Sequence, residues 1–189
     1  MRHFLYPDEY VKSAYLIDYE TLYERGFRGL IFDIDNTLVP HGAPADERAI
    51  ELFVRLKKLG FSCILLSNNK EPRVRTFNDK VGARYIYKAN KPAPASYRRA
   101  MEMMHTDRGS TALIGDQIFT DVAGAKLAGI YSILVEPMDP REEIQIVLKR
   151  YPEKAVLFFY RRRQKKIKKK AARTKPKQSA ARGGGDETG

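Results

Sequence analysis

Gly29-Leu30-Ile31-Phe32-Asp33-Ile34-Asp35-Asn36-Thr37 is the stretch of sequence that decides the fold. Its apolar first part predicts a buried strand. Asp33 and Asp35 are two residues apart at the end of that strand, so in an extended chain they would point to the same face, and we expect the chain to leave the sheet there and turn. Loops at the carboxyl ends of strands bind the ligands of open α/β sheets, and a divalent cation offsets repulsion between neighbouring carboxylates. The stretch therefore indicates metal-assisted chemistry on a phosphate, although a surface turn rich in Asp, Asn and Thr is the structural alternative.

Short β-rich runs alternate with helical patterns from residue 29 to about residue 150. This alternation predicts right-handed βαβ crossovers and a parallel sheet flanked by helices, which is a single doubly wound α/β domain. The predicted strands are Leu30–Ile34, Ser62–Leu66, Tyr85–Tyr87, Thr111–Ile114 and Ser132–Val135. The predicted helices are Asp46–Leu59, Glu71–Val81, Ala95–Met104, Thr120–Ala128 and Arg141–Lys149.

The segments outside this core have different compositions. Residues 1–28 are predicted to form one or two short helices packed on the core (residues 29–150). Residues 151–160 are mainly apolar, and residues 161–189 are predicted to be a disordered tail. The tail carries twelve Lys and Arg against Asp186 and Glu187, so it contributes +10 of the formal charge of +12. The rest of the chain is nearly neutral.

The compartment is predicted from cysteine content and hydropathy. Cys63 is the single cysteine, which excludes an intramolecular disulfide, and its apolar neighbours predict a buried, inert thiol. No apolar segment approaches the roughly 20 residues that span a bilayer. Asp8, Glu9 and Lys12 interrupt any signal-peptide pattern. We expect a cytoplasmic protein, with peripheral attachment to the inner face of the membrane as a further possibility.

Polar motifs follow four of the predicted strands, and the carboxyl ends of parallel strands meet at one edge of a sheet. The motifs are Asp33–Thr37, Ser67-Asn68-Asn69, Lys91-Pro92, and Gly115-Asp116 with Asp121. Each one alone is explained as a turn, a solvated loop or a helix cap. Together, in this order and each behind a strand, they favour a site for phosphoryl transfer.

The candidate catalytic residues are Asp33, Asp35 and Lys91. An aspartate can attack phosphorus and form an acyl phosphate, which makes Asp33 the candidate nucleophile. A second carboxyl group can protonate the leaving oxygen and then activate water, which is the role predicted for Asp35. Lys91 balances the charge of the nucleophile and the phosphate.

The remaining site residues are candidates for binding phosphate and metal. Mg²⁺ favours carboxylate, water and phosphate oxygens, so it is the expected cofactor. Asp121 would orient the metal site or reach Lys91. The predicted phosphate-binding residues are Thr37, Ser67, Asn68 and Lys91. The predicted metal ligands are Asp33, Asp35 and Asp116.

These motifs resemble those of the haloacid dehalogenase (HAD) superfamily, which match Asp33–Thr37, Ser67, Lys91 and Gly115-Asp116 with Asp121. The resemblance implies a Rossmannoid fold and a Mg²⁺-dependent aspartyl-phosphate mechanism. Dehalogenases of the superfamily lack an acid/base Asp at the position of Asp35, so this residue favours a phosphatase. Over about residues 5–150 the chain is similar in particular to the YqeG-like group of subfamily IIIA. The matching stretches are Leu5–Val11, Phe32–Val39 and Gly115–Asp121.

The spacing of the motifs leaves no room for a cap domain. The 29 residues of Leu38–Leu66 and the 21 residues between Asn69 and Lys91 each accommodate only one helix and one strand. An open site cannot enclose a small metabolite, which favours a large substrate whose own bulk covers the site. A phosphoprotein, a nucleic-acid end or a phospholipid head group would fit.

Three functions remain open. YqeG-like proteins are similar to organellar phosphatases that act on phosphatidylglycerophosphate, and the aromatic run in 155–160 beside Arg161-Arg162-Arg163 suits an anionic membrane. The second is a capless phosphatase for a phosphoprotein or nucleic-acid end, with the tail as an electrostatic anchor. The third is a non-catalytic RNA- or ribosome-binding module that acts through the tail. The tail contains no recognised nucleic-acid fold, and retaining costly like charges without use argues against the third.

Overall fold

A parallel sheet of six strands lies at the centre of the structure, a computed structural model that describes residues 4–139 and 154–167. The strand order is β1-β6-β5-β2-β3-β4, and every neighbouring pair is parallel. The predicted doubly wound α/β class is therefore confirmed. The strands are β1 (Glu9–Val11), β2 (Gly29–Phe32), β3 (Ser62–Leu66), β4 (Arg84–Ile86), β5 (Thr111–Gly115) and β6 (Tyr131–Val135).

Helices connect these strands and cover both faces of the sheet. They are α1 (Tyr19–Glu24), α2 (Glu47–Leu59), α3 (Glu71–Val81), α4 (Pro94–Met104) and α5 (Ala123–Ala128), followed by α6 (residues 154–167). A 3₁₀ turn spans Ala14–Leu16, and a π-helical turn, Ile118–Val122, leads directly into α5. Most predicted helices are present within a few residues of their expected bounds. The predicted helix Arg141–Lys149 lies outside the described residues.

The two faces of the sheet follow from alternation along each strand. Leu30 and Phe32 of β2 pack on the face covered by α1, α2 and α3, whereas Ile31 packs with α4 and α5 on the other face. Helix α2 shows how the sequence sets helix ends. The Asp46 carboxylate accepts a hydrogen bond from the Ala49 amide, and Gly60 closes the helix with a left-handed φ of 93°.

The N-terminal segment contributes a strand as well as helices. The prediction of helices alone for residues 1–28 is wrong at β1, which pairs with β6 at the edge of the sheet. Three residues, Glu9-Tyr10-Val11, are too few to show a clear period. Their extended conformation depends on pairing with β6, which lies 124 residues further along the chain. Directly before β1, the Asp8 amide donates to the Ser132 carbonyl. Local sequence could not reveal this pairing.

The basic segment is partly ordered. Helix α6 runs from residue 154 to residue 167, so the prediction of disorder from residue 161 onward is wrong for residues 161–167. Val156 and Leu157 pack on a small cluster of Ile118, Val122 and Leu134. The predicted apolar segment therefore docks on the core through one face of a helix that continues into the basic run.

Cys63, the single cysteine, is half-buried in β3. Burial raises the pKa of its thiol to about 12, which agrees with the predicted lack of reactivity. Among the described residues, no helix combines the length and the apolarity that crossing a bilayer requires.

Gly124 allows α5 to approach α4 closely. A Cβ atom at Gly124 would lie 2.2 Å from the Tyr97 hydroxyl oxygen and 2.5 Å from its ring. Tyr97 is fully buried, and its hydroxyl donates to the Thr120 carbonyl (2.9 Å) in the turn that leads into α5. The contact therefore fixes the position of this turn.

Gly124→Ala is expected to lower the free energy of unfolding by about 1–3 kcal/mol, because the added methyl group must displace the Tyr97 ring. This corresponds to a fall of about 2–10 °C in melting temperature. Gly109→Ala is the matched control, since its Cβ would meet no atom closer than 3.5 Å. Equal melting temperatures for the two variants in calorimetry would contradict the assignment.

Candidate active site

The chain leaves the sheet directly after β2 and forms a tight loop. The Ile34 carbonyl accepts the amide of Leu38 (2.9 Å), and Asn36 takes a left-handed φ of 62°, which asparagine tolerates better than most residues. Strand β2 ends at Phe32, two residues earlier than predicted. Asp33 and Asp35 line the same cavity in this loop.

The cavity has a volume of about 190 Å³ and lies at the carboxyl edge of the sheet. It brings together residues from motifs that are far apart in sequence. Thr37, Asp116 and Asp121 do not line the cavity, and they are almost fully buried. The residues that line it are Asp33, Asp35, Asn36, His41, Ser67, Asn68, Asn69, Lys91, Gln117 and Thr120.

A buried ion-pair network forms the centre of the site. The Lys91 ammonium donates to Asp33 Oδ1 (2.5 Å) and to Asp121 Oδ1 (2.7 Å). Burial raises the pKa of Asp33 to about 7; Lys91 opposes this rise, and Asp121 adds to it. Burial acts to lower the pKa of Lys91, but Asp121 and Asp33 outweigh it and the pKa is raised. Lys91 is therefore a permanent cation next to a carboxyl group that ionises near neutral pH.

Three buried carboxyl groups could hold a metal ion. Oxygen atoms of Asp33, Asp116 and Asp121 all lie within 4.8 Å of one another. A Cβ atom at Gly115 would lie 2.6 Å from Asp121, so glycine is needed for this close approach. An all-oxygen donor set fits a hard divalent cation. The sequence analysis predicts Asp33, Asp35 and Asp116 as metal ligands. In the structure the third member of the group is Asp121, and metal binding by Asp35 remains a prediction.

The Asp35 carboxylate is held by donors from two loops and a helix. Arg73 donates to Oδ1 from Nε (3.2 Å) and Nη2 (2.8 Å), and Asn69 Nδ2 donates to Oδ2 (2.7 Å). The Gly42 amide also donates to Oδ1 (2.8 Å), and His41 Nδ1 lies 3.8 Å from the same oxygen. These contacts direct the carboxylate toward the start of α3.

Arg73 is the main site residue that the sequence analysis missed. It lies in the first turn of α3, directly after the Ser67-Asn68-Asn69 loop, and this position behind a strand-end motif was the available signal. Its Nη1 atom is buried and has no hydrogen-bond partner among the described residues. Two of the three guanidinium nitrogens of Arg73 therefore donate to Asp35.

Two predicted phosphate-binding residues make contacts within the protein. The Asn68 side chain accepts the Lys91 amide (2.7 Å) and donates to the Lys91 carbonyl (3.2 Å), and the Lys91-Pro92 peptide is cis. The Thr37 hydroxyl donates to Asp116 Oδ1 (3.3 Å). Asn68 thus fixes the loop that carries Lys91, and Thr37 orients Asp116. Ser67 lines the cavity, as expected of a phosphate-binding hydroxyl.

Comparisons with known proteins agree with this geometry. The HAD-hydrolase-like family matches residues 88–137. The chain is 38% identical over 158 residues to "Probable phosphatase YqeG" of Bacillus subtilis, which covers 83% of this chain and 92% of that protein. One solved structure superposes with a TM-score of 0.52 at 16% identity, over 71% of this chain and 84% of the other, and this similarity supports the fold.

A second, more distant relative is a longer protein. The chain is 28% identical over 167 residues to "Phosphatidylglycerophosphate phosphatase 1, chloroplastic/mitochondrial" of Arabidopsis thaliana. The match covers 77% of this chain and 45% of that protein, so this chain spans less than half of the relative's length.

Asp33→Asn is expected to become more stable relative to wild type as pH rises from 5 to 8. The folded-state pKa of about 7 lies above the ordinary value of 3.8 for a free Asp side chain. Within that window the folded protein binds more protons than the unfolded chain, so wild-type stability falls as pH rises. Asparagine does not titrate, and the difference in melting temperature should grow by about 5 °C.

Calorimetry in the presence of a chelator measures this difference. Asp79→Asn, an exposed substitution on α3, is the control and should show no such trend. A difference in melting temperature that is constant with pH, or that shrinks as pH rises, would contradict the raised pKa.

Proposed function

Because this chain belongs to the YqeG-like phosphatases of the haloacid dehalogenase (HAD) superfamily, we propose that it hydrolyses phosphatidylglycerophosphate through an aspartyl phosphate on Asp33, with Mg²⁺ as its cofactor. The observation that carries this proposal is the buried network of Asp33, Lys91 and Asp121, with Asp116 beside it and Asp35 across the same cavity. Burying three carboxyl groups close to one lysine is costly, so a structural role alone is a weak explanation for them.

Two displacements at phosphorus complete the reaction. In the first, an Asp33 oxygen attacks phosphorus, and the bond to the leaving oxygen breaks as Asp35 gives that oxygen its proton. In the second, water attacks the phosphorus of the acyl phosphate while Asp35 takes its proton, and the bond between phosphorus and the Asp33 oxygen breaks. Inorganic phosphate leaves, and both carboxyl groups return to their starting states.

The neighbouring residues stabilise the charge that develops. Lys91 is fixed through its backbone by Asn68, so its ammonium can stay between Asp33 and the incoming phosphoryl oxygens. Ser67 presents a hydroxyl to the same cavity. Arg73 positions Asp35 by two N–H donors that converge on Oδ1, which limits the carboxyl group to a small range of orientations.

Asp33, Asp116 and Asp121 are the residues that would hold Mg²⁺. Bound there, the cation would neutralise negative charge on the phosphoryl oxygens. The role of Thr37 in this proposal is to hold Asp116 through its hydroxyl. The backbone amide of Gln117 holds Asp121 in the same way, by donating to its Oδ2 atom (3.1 Å).

Two features support a large, membrane-presented substrate. Only α2 and β3 lie between Thr37 and Ser67, and only α3 and β4 lie between Asn69 and Lys91, so the described residues include no cap over the cavity. The Arabidopsis relative is named for phosphatidylglycerophosphate. We place the protein at the inner face of the membrane, as a peripheral protein, where this lipid would be presented.

Purified protein is expected to release phosphate from phosphatidylglycerophosphate in vesicles when Mg²⁺ is present, and to lose this activity with a chelator. Asp33→Asn removes the nucleophile and should lower kcat by at least about 1,000-fold. Asp116→Asn should lose activity that added Mg²⁺ partly restores. Glu51→Gln, an exposed change on α2, is the control.

Full activity of Asp33→Asn would refute the aspartyl-phosphate mechanism. Preferential hydrolysis of a phosphopeptide or an RNA end would replace the lipid by the second candidate substrate class. Loss of all phosphatase activity on a broad panel, with RNA binding that needs only the tail, would favour a non-catalytic binding module.

Arg73→Lys is expected to lower kcat about tenfold or more with little change in KM. Lysine keeps the charge but lacks the planar pair of donors that Arg73 directs at Asp35 Oδ1, so proton transfer to the leaving group should suffer before substrate binding does. Arg75→Lys is the matched control, because Arg75 is exposed on the same helix. The two variants should have similar melting temperatures, and equal kcat values would show that Arg73 does not position the acid.

A further inference from the structure

One face of helix α6, which we call its inner face, packs on the rest of the structure. Val156 and Leu157 contact the cluster of Ile118, Val122 and Leu134. One turn later Tyr160 is buried, and its ring lies edge-on to Tyr6 with the centroids 5.6 Å apart. These contacts fix the rotation of the helix about its axis, so the direction of its outer face is defined.

The outer face combines large aromatic side chains with cations. Phe158 is 60% exposed and Phe159 is 56% exposed, whereas the adjacent Tyr160 on the inner face is buried. Arg162 lies three and four residues from this pair, and Lys165 and Lys166 each lie seven residues from one ring, so all three share the face with the rings. No acidic residue occurs in residues 154–167. We call Phe158, Phe159, Arg162, Lys165 and Lys166 the outer face of α6.

We propose that the outer face of α6 is a docking surface for an anionic lipid bilayer. Two adjacent exposed phenylalanines are unfavourable in water, and a helix that sets aromatic side chains among Lys and Arg is typical of the interface between lipid head groups and acyl chains. Its charge is complementary to that of anionic lipid. This inference rests on the proposed function only for its purpose, since docking would bring the cavity to a lipid substrate.

The arrangement of the rings favours a bilayer over RNA. The Phe158 and Phe159 rings meet edge to face, with an angle of 78° between their planes and 5.6 Å between their centroids. They therefore form one compact apolar knob, whereas single-stranded nucleic acid stacks successive bases on exposed ring faces. A second copy of this chain is also disfavoured, because two such faces would bring like charges together without an acidic partner.

The helix that carries the outer face packs directly on the turn that carries Asp121. The inner face of the same helix packs on Ile118 and Val122, which begin and end the π-helical turn that carries Asp121. The flanks are held by the N-terminal segment, since Arg161 lies over the Tyr10 ring (5.3 Å) and Arg163 over the Tyr6 ring (5.9 Å). Docking of α6 would thus set the orientation of the cavity relative to the lipid surface.

Co-sedimentation of the full chain with vesicles tests the proposal. Wild type should bind phosphatidylcholine vesicles that contain phosphatidylglycerol, and bind vesicles of phosphatidylcholine alone far more weakly. Phe158→Ser/Phe159→Ser should lower the partition coefficient at least tenfold, since each buried ring contributes about tenfold. The matched control is Leu16→Ser/Val54→Ser, which removes side chains that are 67% and 49% exposed elsewhere on the surface.

Substitution of the cations gives an independent readout. Each basic residue near an anionic surface strengthens binding about fivefold, so Arg162→Gln/Lys165→Gln/Lys166→Gln should weaken it about 100-fold at low salt and much less at high salt. Lys57→Gln/Lys58→Gln, at exposed positions of α2, should have little effect. All variants alter exposed side chains, so their melting temperatures should match that of wild type.

Activity measurements separate this inference from the proposed function. The outer-face variants should hydrolyse p-nitrophenyl phosphate, a small soluble phosphomonoester, at the wild-type rate and lose hydrolysis of lipid in vesicles. Vesicle binding that depends on Phe158 and Phe159 without any lipid hydrolysis would support the docking surface and refute the lipid substrate. Unchanged vesicle binding by both outer-face variants would overturn the docking surface, as would a role of these residues in RNA binding or self-association alone.

Discussion

The position of the Lys91 ammonium between Asp33 and Asp121 is the constraint on which the site depends. Burying an ion pair costs desolvation that only close partners can offset, and Lys91 meets this condition with two carboxylates at 2.5 and 2.7 Å. The network nevertheless carries more negative than positive charge once Asp116 is included. Burial is the main cause of the raised pKa of Asp33, and Asp121 adds to it. The excess of buried carboxylate favours a divalent cation in the site.

The parallel sheet supplies the means of assembling this network. The carboxyl ends of β2, β3 and β5 are neighbours, so loops widely separated in sequence meet without long excursions. Fine positioning comes from smaller contacts around the strand ends. Asn68 clamps the backbone of Lys91, Thr37 bonds to Asp116, and Gly115 leaves the space that Asp121 occupies. Asn68 and Thr37, which the sequence analysis predicts to bind phosphate, thus make contacts that orient other residues of the site.

Sequence reasoning predicted what depends on local pattern and strand order, and it failed where distant pairing decides. The α/β class and the convergence of Asp33, Ser67 and Lys91 followed from alternating elements and from motifs placed behind strands. Arg73 was missed because its role depends on how α3 is aimed at Asp35. Helix α6 was missed beyond residue 160 because a basic run reads as solvated, whereas the helix is held by packing of its apolar face. Strand β1 has almost no local signal at all.

The pairing of β1 with β6 also bears on the order in which the chain acquires its contacts. Asp8 and Ser132 are 124 residues apart in the chain, so β1 has no partner until synthesis has reached β6. Contacts that close such long loops form late because their entropic cost is high. Tyr6 and Tyr10 from the same segment then contact α6. We therefore expect β2 and β3, which only α2 separates, to pair before the edge formed by β1, β6 and α6 is completed.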